Sequence, residues 1–102
     1  MSEYSTLFRE SAELDIQRAQ DWYALNALDQ VDRFIDDLGV AVAAIRRSPH
    51  AFRPLRGDAR RVALKTFPYL LWYRCHDELS IVEFIALVHQ RQDPAGFNPR
   101  LS

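Results

Sequence analysis

Between residues 60 and 88, three β-type runs follow one another with almost no chain between them: 60–67, 69–75 and 79–88. Phe67-Pro68-Tyr69 turns the first run into the second, and His76-Asp77-Glu78 turns the second into the third. Connections this short join neighbouring antiparallel strands. The third run, Leu79-Ser-Ile-Val-Glu-Phe-Ile-Ala-Leu-Val88, passes directly into His89-Gln-Arg91-Gln-Asp93-Pro94. An apolar strand that ends in such a cluster is how a rigid sheet presents a polar site.

The preceding half reads as one strand and two helices. Residues 4–8 are β-prone. Ser11 then reads as a helix N-cap, with Glu13 and Asp15 placed where the helix dipole favours acids. Ala12, Ile16, Ala19 and Tyr23 recur at helical spacing, which predicts a helix over about 12–26. Asn26 or Asp29 marks the break. In the second helix Val31, Phe34, Ile35, Leu38, Val42 and Ile45 form one apolar stripe, and Asp32, Arg33, Asp36 and Asp37 are expected to face water. Gly39 inside it costs about 1 kcal/mol relative to alanine, which suggests close packing there. Arg46 and Arg47 suit the negative helix end, and Ser48-Pro49 stops the helix. Residues 48–59 read as an irregular connection.

The order is therefore β-α-α-β-β-β. It predicts an α+β fold with two N-terminal helices packed on a small antiparallel sheet. At 102 residues one domain is expected over 1–102, with its core at about 4–94 and an irregular tail at 95–102. No apolar run approaches the roughly 18 residues of a membrane span, and no secretory signal is visible at Met1-Ser-Glu-Tyr-Ser5. The single Cys75 points to a reducing, cytoplasmic setting.

The net charge of −1 conceals a polarity. Residues 1–45 carry three basic and nine acidic side chains, whereas residues 46–102 carry ten and five. The basic half can meet a nucleic acid or an acidic peptide; solvated arginines along a sheet edge are the plainer alternative.

Strand alternation sorts the meander into two faces. With a two-residue turn at Asp77-Glu78, the apolar face carries Leu71, Tyr73, Cys75, Val82, Phe84, Ala86 and Val88, and the helices cover it. The mixed face carries Leu70, Trp72, Arg74, Ile81, Glu83, Ile85 and Leu87, then His89 and Arg91; Arg61 and Lys65 join it from the first run. Basic residues around an aromatic suit phosphate contact and base stacking. No metal-ligand spacing, glycine-rich phosphate loop or nucleophile elbow is legible, so no metal or cofactor is expected. Cys75 reads as an inert, buried thiol on the helix-facing side.

Several features together resemble the RelE/ParE toxins of bacterial type II toxin–antitoxin modules, closer to the ParE-like branch of plasmid stabilisation proteins. They are the element order, a first helix opening Ala12-Glu-Leu-Asp-Ile16 and continuing to Trp22-Tyr23, and an apolar second helix ending before Pro49. Arg61, the strand Phe67-Pro68-Tyr69-Leu-Leu-Trp-Tyr73-Arg74 and the ending His89-Gln-Arg91-Gln-Asp93-Pro94 complete the set. The resemblance covers about residues 4–94.

It implies a toxin that arrests growth and is neutralised by a cognate antitoxin encoded beside it. The target would be DNA gyrase for a ParE-like protein, or mRNA on the ribosome for a RelE-like endonuclease. RelE-like cleavage would use Arg61, Lys65, Arg74, His89 and Arg91 to neutralise phosphate and move protons. The tyrosine that RelE-like enzymes usually carry near the C-terminus is missing after Asp93, which favours action by binding. Arg61, Trp72, Arg74, His89 and Arg91 are then the expected target contacts. Acids of the antitoxin would meet Arg46, Arg47, Arg53 or Arg56. Homodimerisation through exposed aromatics such as Trp22, or a hetero-oligomer with the antitoxin, are further alternatives.

Overall fold

The computed structural model describes residues 3–92. Strands β1 (Ser5–Phe8), β2 (Pro54–Arg56), β3 (Ala59–Ala63), β4 (Tyr69–His76) and β5 (Ile81–His89) form one sheet in the spatial order β1-β5-β4-β3-β2. Helices α1 (Glu10–Asn26) and α2 (Val31–Arg47) cover one face. This is the expected α+β architecture of two helices on a small sheet, with two additions. Pro54–Arg56, inside the segment read as irregular, forms a short edge strand antiparallel to β3, joined to it through Gly57 at φ 58°. Strand β1 runs parallel to β5, pairing Ser5 with Ile81 and Phe8 with Phe84, so the sheet is mixed. A parallel pair needs a long crossover, and here the two helices and the rest of the meander lie between its members.

Helix α1 begins at Glu10, with Arg9 at its N-cap and no side-chain cap bond. The expected cap residue, Ser11, lies inside the helix and donates its hydroxyl to the Ile85 carbonyl at 2.9 Å. A side chain able to serve its own helix end thus holds the sheet instead. The Leu28–Gln30 turn separates the helices.

Helix α2 buries Phe34, Leu38, Ala41 and Ile45, as its periodicity requires, while Ile35 lies at the margin of the stripe and is exposed. Asp37 departs from expectation. It is buried, and its Oδ2 accepts the backbone N–H groups of Thr66 and Phe67, each at 2.9 Å. Gly39 also departs: a Cβ built there would meet nothing within 4 Å, so close packing does not explain it.

Between helices and sheet lies an aromatic cluster. Tyr23 approaches Phe34 at 5.4 Å and Phe67 at 5.2 Å, and Phe34 approaches Tyr69 at 5.5 Å, in the range favoured by offset or edge-on rings. Tyr73 has no exposed surface and donates its hydroxyl to the Pro49 carbonyl at 2.6 Å; burial holds its phenol far above the ordinary range. Among the described residues, no helix is long and apolar enough to cross a membrane.

Candidate functional site

The polar end of β5 is aimed by a β-bulge. Along β4 and β5, His76 pairs with Ile81 across a four-residue turn whose last member, Ser80, adopts φ 52°. Tyr73 then pairs with Phe84, but Trp72 pairs with Ala86, leaving Ile85 as the extra residue. The turn is two residues longer than expected, a shift that preserves side-chain parity. Leu71, Tyr73, Val82 and Phe84 therefore face the helices as predicted. Beyond Ile85 the parity reverses. Leu87 joins the helix-side core, while Ala86 and Val88 pack with Trp72, Ile85 and Ala59 on the other face. The expectation for Ala86, Val88, Leu87 and His89 is corrected accordingly, because alternation alone does not register an inserted residue.

Helix α1 binds the bulge backbone at three points. The Arg9 N–H donates to the Phe84 carbonyl at 3.0 Å, and the Ser11 hydroxyl to the Ile85 carbonyl at 2.9 Å. The Leu87 N–H donates to Asp15 Oδ2 at 3.0 Å. Ser11 and Asp15 are one helical turn apart and so reach the same strand.

The reversal places His89 in a groove between α1 and the β4–β5 end. The groove has a volume of about 830 Å³, and its lining includes Asp15, Arg18, Trp22, Tyr69, His89 and Arg91. The His89 ring stands edge-on to Tyr69 at 5.3 Å. Its Nδ1 accepts the Arg91 backbone N–H at 3.1 Å, so the neutral ring carries its proton on Nε2. Trp22 is 55% exposed. Burial pushes the Tyr69 phenol up to about 12, with its hydrogen bond to Tyr23 acting in the same sense. Arg18 was not singled out from sequence, and Trp22 only as an exposed aromatic open to homodimerisation. Their spacing of four on the helix that carries Asp15 is the signal that could have placed them together.

The remaining sequence candidates lie elsewhere. On the outer face, the Arg61 guanidinium lies 5.5 Å from the Trp72 ring centroid, a cation–π contact. Trp72 has no exposed surface and thus no ring face open to a base. Arg74 is bound through Nε to Asp58 at 2.6 Å. Lys65 is exposed in the β3–β4 connection. The structure therefore separates Arg61, Trp72 and Arg74 from His89 and Arg91, which lie on the helix side. Arg46 donates to the Tyr4 carbonyl at 2.9 Å and pairs with Glu3 at 3.6 Å, while Arg47 and Arg53 are exposed and Arg56 is half-buried in β2. Asp93, and the turn read at Asp93-Pro94, lie outside the described residues.

Two further polar clusters emerged that spacing did not reveal. Glu83 accepts from Arg9 Nε at 2.6 Å and pairs with His76 Nε2 at 2.9 Å. Burial pushes its carboxyl up, but the bonds from Arg9 and His76 together outweigh burial and hold it below the ordinary value. In the turn that follows His76, Asp77 Oδ1 meets the Tyr4 hydroxyl at 2.9 Å and His50 Nε2 at 2.8 Å, and the His50 and Tyr4 bonds hold its carboxyl below the ordinary value. His50, Cys75 and Asp77 each offer a donor atom, all within 4.8 Å of one another. Arg60 Nη2, however, lies 3.1 Å from His50 Nδ1. A guanidinium already neutralises this cluster, and a metal ion would have to compete with it. The Cys75 thiol is pushed up chiefly by burial, consistent with an unreactive group.

Residues 7–94 match the family model described as the ParE toxin of the type II toxin–antitoxin system parDE. The chain belongs to this family. It is thus a toxin of the type II toxin–antitoxin class. A relative named Toxin ParE2 from Mycobacterium tuberculosis is 33% identical over 89 residues, covering 86% of this chain and 83% of that protein. Among solved structures, the chromosomal ParDE system of P. aeruginosa aligns with a TM-score of 0.72 at 12% identity, over 85% of this chain and 96% of that one. The RelBE2 toxin–antitoxin complex of M. tuberculosis aligns with a TM-score of 0.60 at 20% identity, over 87% and 93%. The E. coli RelBE complex gives 0.56 at 24%, over 84% and 95%. At these identities the structural matches establish the fold. Together they account for the α+β topology of this ParE-family chain.

Proposed function

We propose that this chain arrests bacterial growth in the cytoplasm by binding DNA gyrase, and that a cognate antitoxin neutralises it, as in a plasmid-stabilising module. The observation that carries the binding reading is the dispersal of the cleavage candidates over two faces of the sheet. Arg61 lies over buried Trp72 and Arg74 is tied to Asp58, whereas His89 and Arg91 line the α1 groove. RNA cleavage needs a base, a phosphate clamp and an acid converging on one bond. A binding protein needs only exposed, preformed contacts. His89 and Arg91 are the target contacts of this set best placed for that, with Arg61 and Arg74 at a second face. The antitoxin's acidic residues meet Arg47 and Arg53, with Arg56 and the outer part of Arg46 alongside. Solved relatives that are toxin–antitoxin complexes support such a partner.

The test is inducible expression of the wild type and of Arg61→Ala/Arg91→Ala in a bacterial host, scoring growth, DNA damage response and mRNA integrity. Growth arrest with a damage response and intact mRNA is the expected result, reversed by co-expression of the neighbouring antitoxin gene. Arrest with cleaved mRNA, lost in the double variant, would replace this reading with that of a ribosome-dependent endonuclease.

A further inference from the structure

Helix α2 has a second face, turned away from the sheet. Phe34, Leu38, Ala41 and Ile45 point inward. At 3.6 residues per turn, the opposite side carries Asp32, Asp36, Gly39, Val40, Ala43 and Arg47. All of these are exposed except Ala43, which is half-buried. The large apolar side chain Val40 is 55% exposed, and Ile35 at the margin of the face is 42% exposed. A Cβ at Gly39 would meet nothing within 4 Å, so nothing in the chain itself calls for glycine there. Asp32, Asp36 and Arg47 form no ion pair among the described residues. A helix face with a small, apolar middle and charges at both ends is one on which a second helix can lie closely.

The charges select the partner. Asp32 lies seven residues before Gly39, and Arg47 lies seven after Val40. A second α2 laid antiparallel, about a two-fold axis between Gly39 and Val40, therefore sets Asp32 of each copy against Arg47 of the other. Asp36 then faces Ala43, and no acid faces an acid. A two-fold contact uses one patch twice and must be self-complementary, and the charge order along this face meets that condition. A partner of a single sign would meet a like charge at one end. Antiparallel helices also oppose their dipoles. Arg33 lies on the flank of the face, and Arg46 is held by Glu3 and the Tyr4 carbonyl, which leaves Arg47 as the base open to a partner.

We propose that α2 pairs with α2 of a second copy of this chain, in an antiparallel two-fold contact centred between Gly39 and Val40. One helix face per copy is small beside the roughly 800 Å² per partner of a standard interface. The pair is accordingly weak, with a dissociation constant on the order of 10–100 μM, and the dilute chain is monomeric. No residue of α2 lines the α1 groove, so the pairing leaves His89 and Arg91 accessible and stands apart from the gyrase reading. Arg47 is the residue it shares with the antitoxin contacts, so an antitoxin seated there would dissolve the pair.

The experiment is sedimentation equilibrium of the full chain from about 5 to about 500 μM, a range that brackets the expected dissociation constant. The expected result is a reversible monomer–dimer equilibrium. Val40→Glu, at an exposed position, should weaken it roughly tenfold or more by burying a charge at the centre of the contact. Asp32→Arg or Arg47→Asp alone should weaken it roughly threefold or more, with a larger effect at low salt. The double reversal Asp32→Arg/Arg47→Asp should restore affinity close to that of the wild type, because each copy then carries the same pair inverted. Circular dichroism checks that each variant remains folded. A chain that stays monomeric throughout, or a double reversal that pairs no better than either single one, would overturn the proposal. So would a dimer that survives Val40→Glu unchanged, which would move the contact to another surface such as that of Trp22 on α1. Val40 and Asp32 are not target contacts, so each of these outcomes leaves the gyrase reading standing.

Discussion

Asp37 on α2 accepts the backbone N–H of Phe67, thirty residues further along the chain, at 2.9 Å, and the same oxygen takes the N–H of Thr66. One carboxylate thereby fixes the β3–β4 connection against the helix layer and delivers Phe67 to the ring cluster of Tyr23 and Phe34. Buried amides without an acceptor are costly. Asp37→Ala should therefore lower unfolding stability by roughly 2–4 kcal/mol in urea denaturation, since two charge-assisted bonds are lost together. Asp37→Asn keeps an acceptor oxygen and should cost distinctly less. A loss in Asp37→Ala no greater than for an exposed acid such as Asp36 would remove this role.

Gly39 offers the opposite case. It lies in the interior of α2, is exposed, and a Cβ there would meet nothing within 4 Å. Gly39→Ala should stabilise the chain by about 0.5–1 kcal/mol, through helix propensity and a less flexible unfolded state. The midpoint of thermal or urea unfolding reads this directly, and a destabilised variant would show that the position serves a contact outside the monomer.

These two residues also mark where the sequence was legible. The α2 stripe of Phe34, Leu38 and Ile45 and the β-type runs state their own partners, because burial at helical or alternating spacing leaves a periodic trace. Asp37 leaves none: one acid among three on a helix looks solvated until a loop thirty residues away is folded onto it. The α1 groove was half legible for a similar reason. His89 and Arg91 stood out as a polar strand end, but Ile85, the residue that rotates them to the helix side, is chemically indistinguishable from its strand neighbours. β2 was missed because three residues containing Pro54 carry too little alternation to read.

Tyr69 joins the core to the groove, and its environment makes a pH prediction. Its phenol is pushed up to about 12 in the folded chain, against about 10 unfolded. The folded state therefore holds the proton more tightly, so this contribution is fully present below pH 10 and is lost as the pH rises from about 10 to 12. Tyr73, raised further by burial, acts in the same direction. Stability measured by urea denaturation should decline over this window, and Tyr69→Phe should flatten the decline. A decline of unchanged steepness in Tyr69→Phe would assign the alkaline limb to other groups.

Asp15 makes the sharpest link between packing and the site. Its Oδ2 takes the Leu87 N–H at 3.0 Å, while Ser11 holds the Ile85 carbonyl at 2.9 Å, so one helical turn clamps both sides of the bulge. Without the inserted residue, strand parity would send Leu87 and His89 to the outer face and bring Val88 inward. Asp15→Ala should cost about 1–3 kcal/mol for an unsatisfied amide next to a buried side chain. It should also raise amide exchange at Leu87 well above that at Tyr73 on the neighbouring strand. Growth inhibition should fall further than the loss of folded protein accounts for, because His89 and Arg91 lose their aim. Asp15→Asn, which keeps an acceptor, should recover most of the exchange protection. If Asp15→Ala weakens the fold yet leaves toxicity per folded molecule unchanged, the bulge serves packing alone.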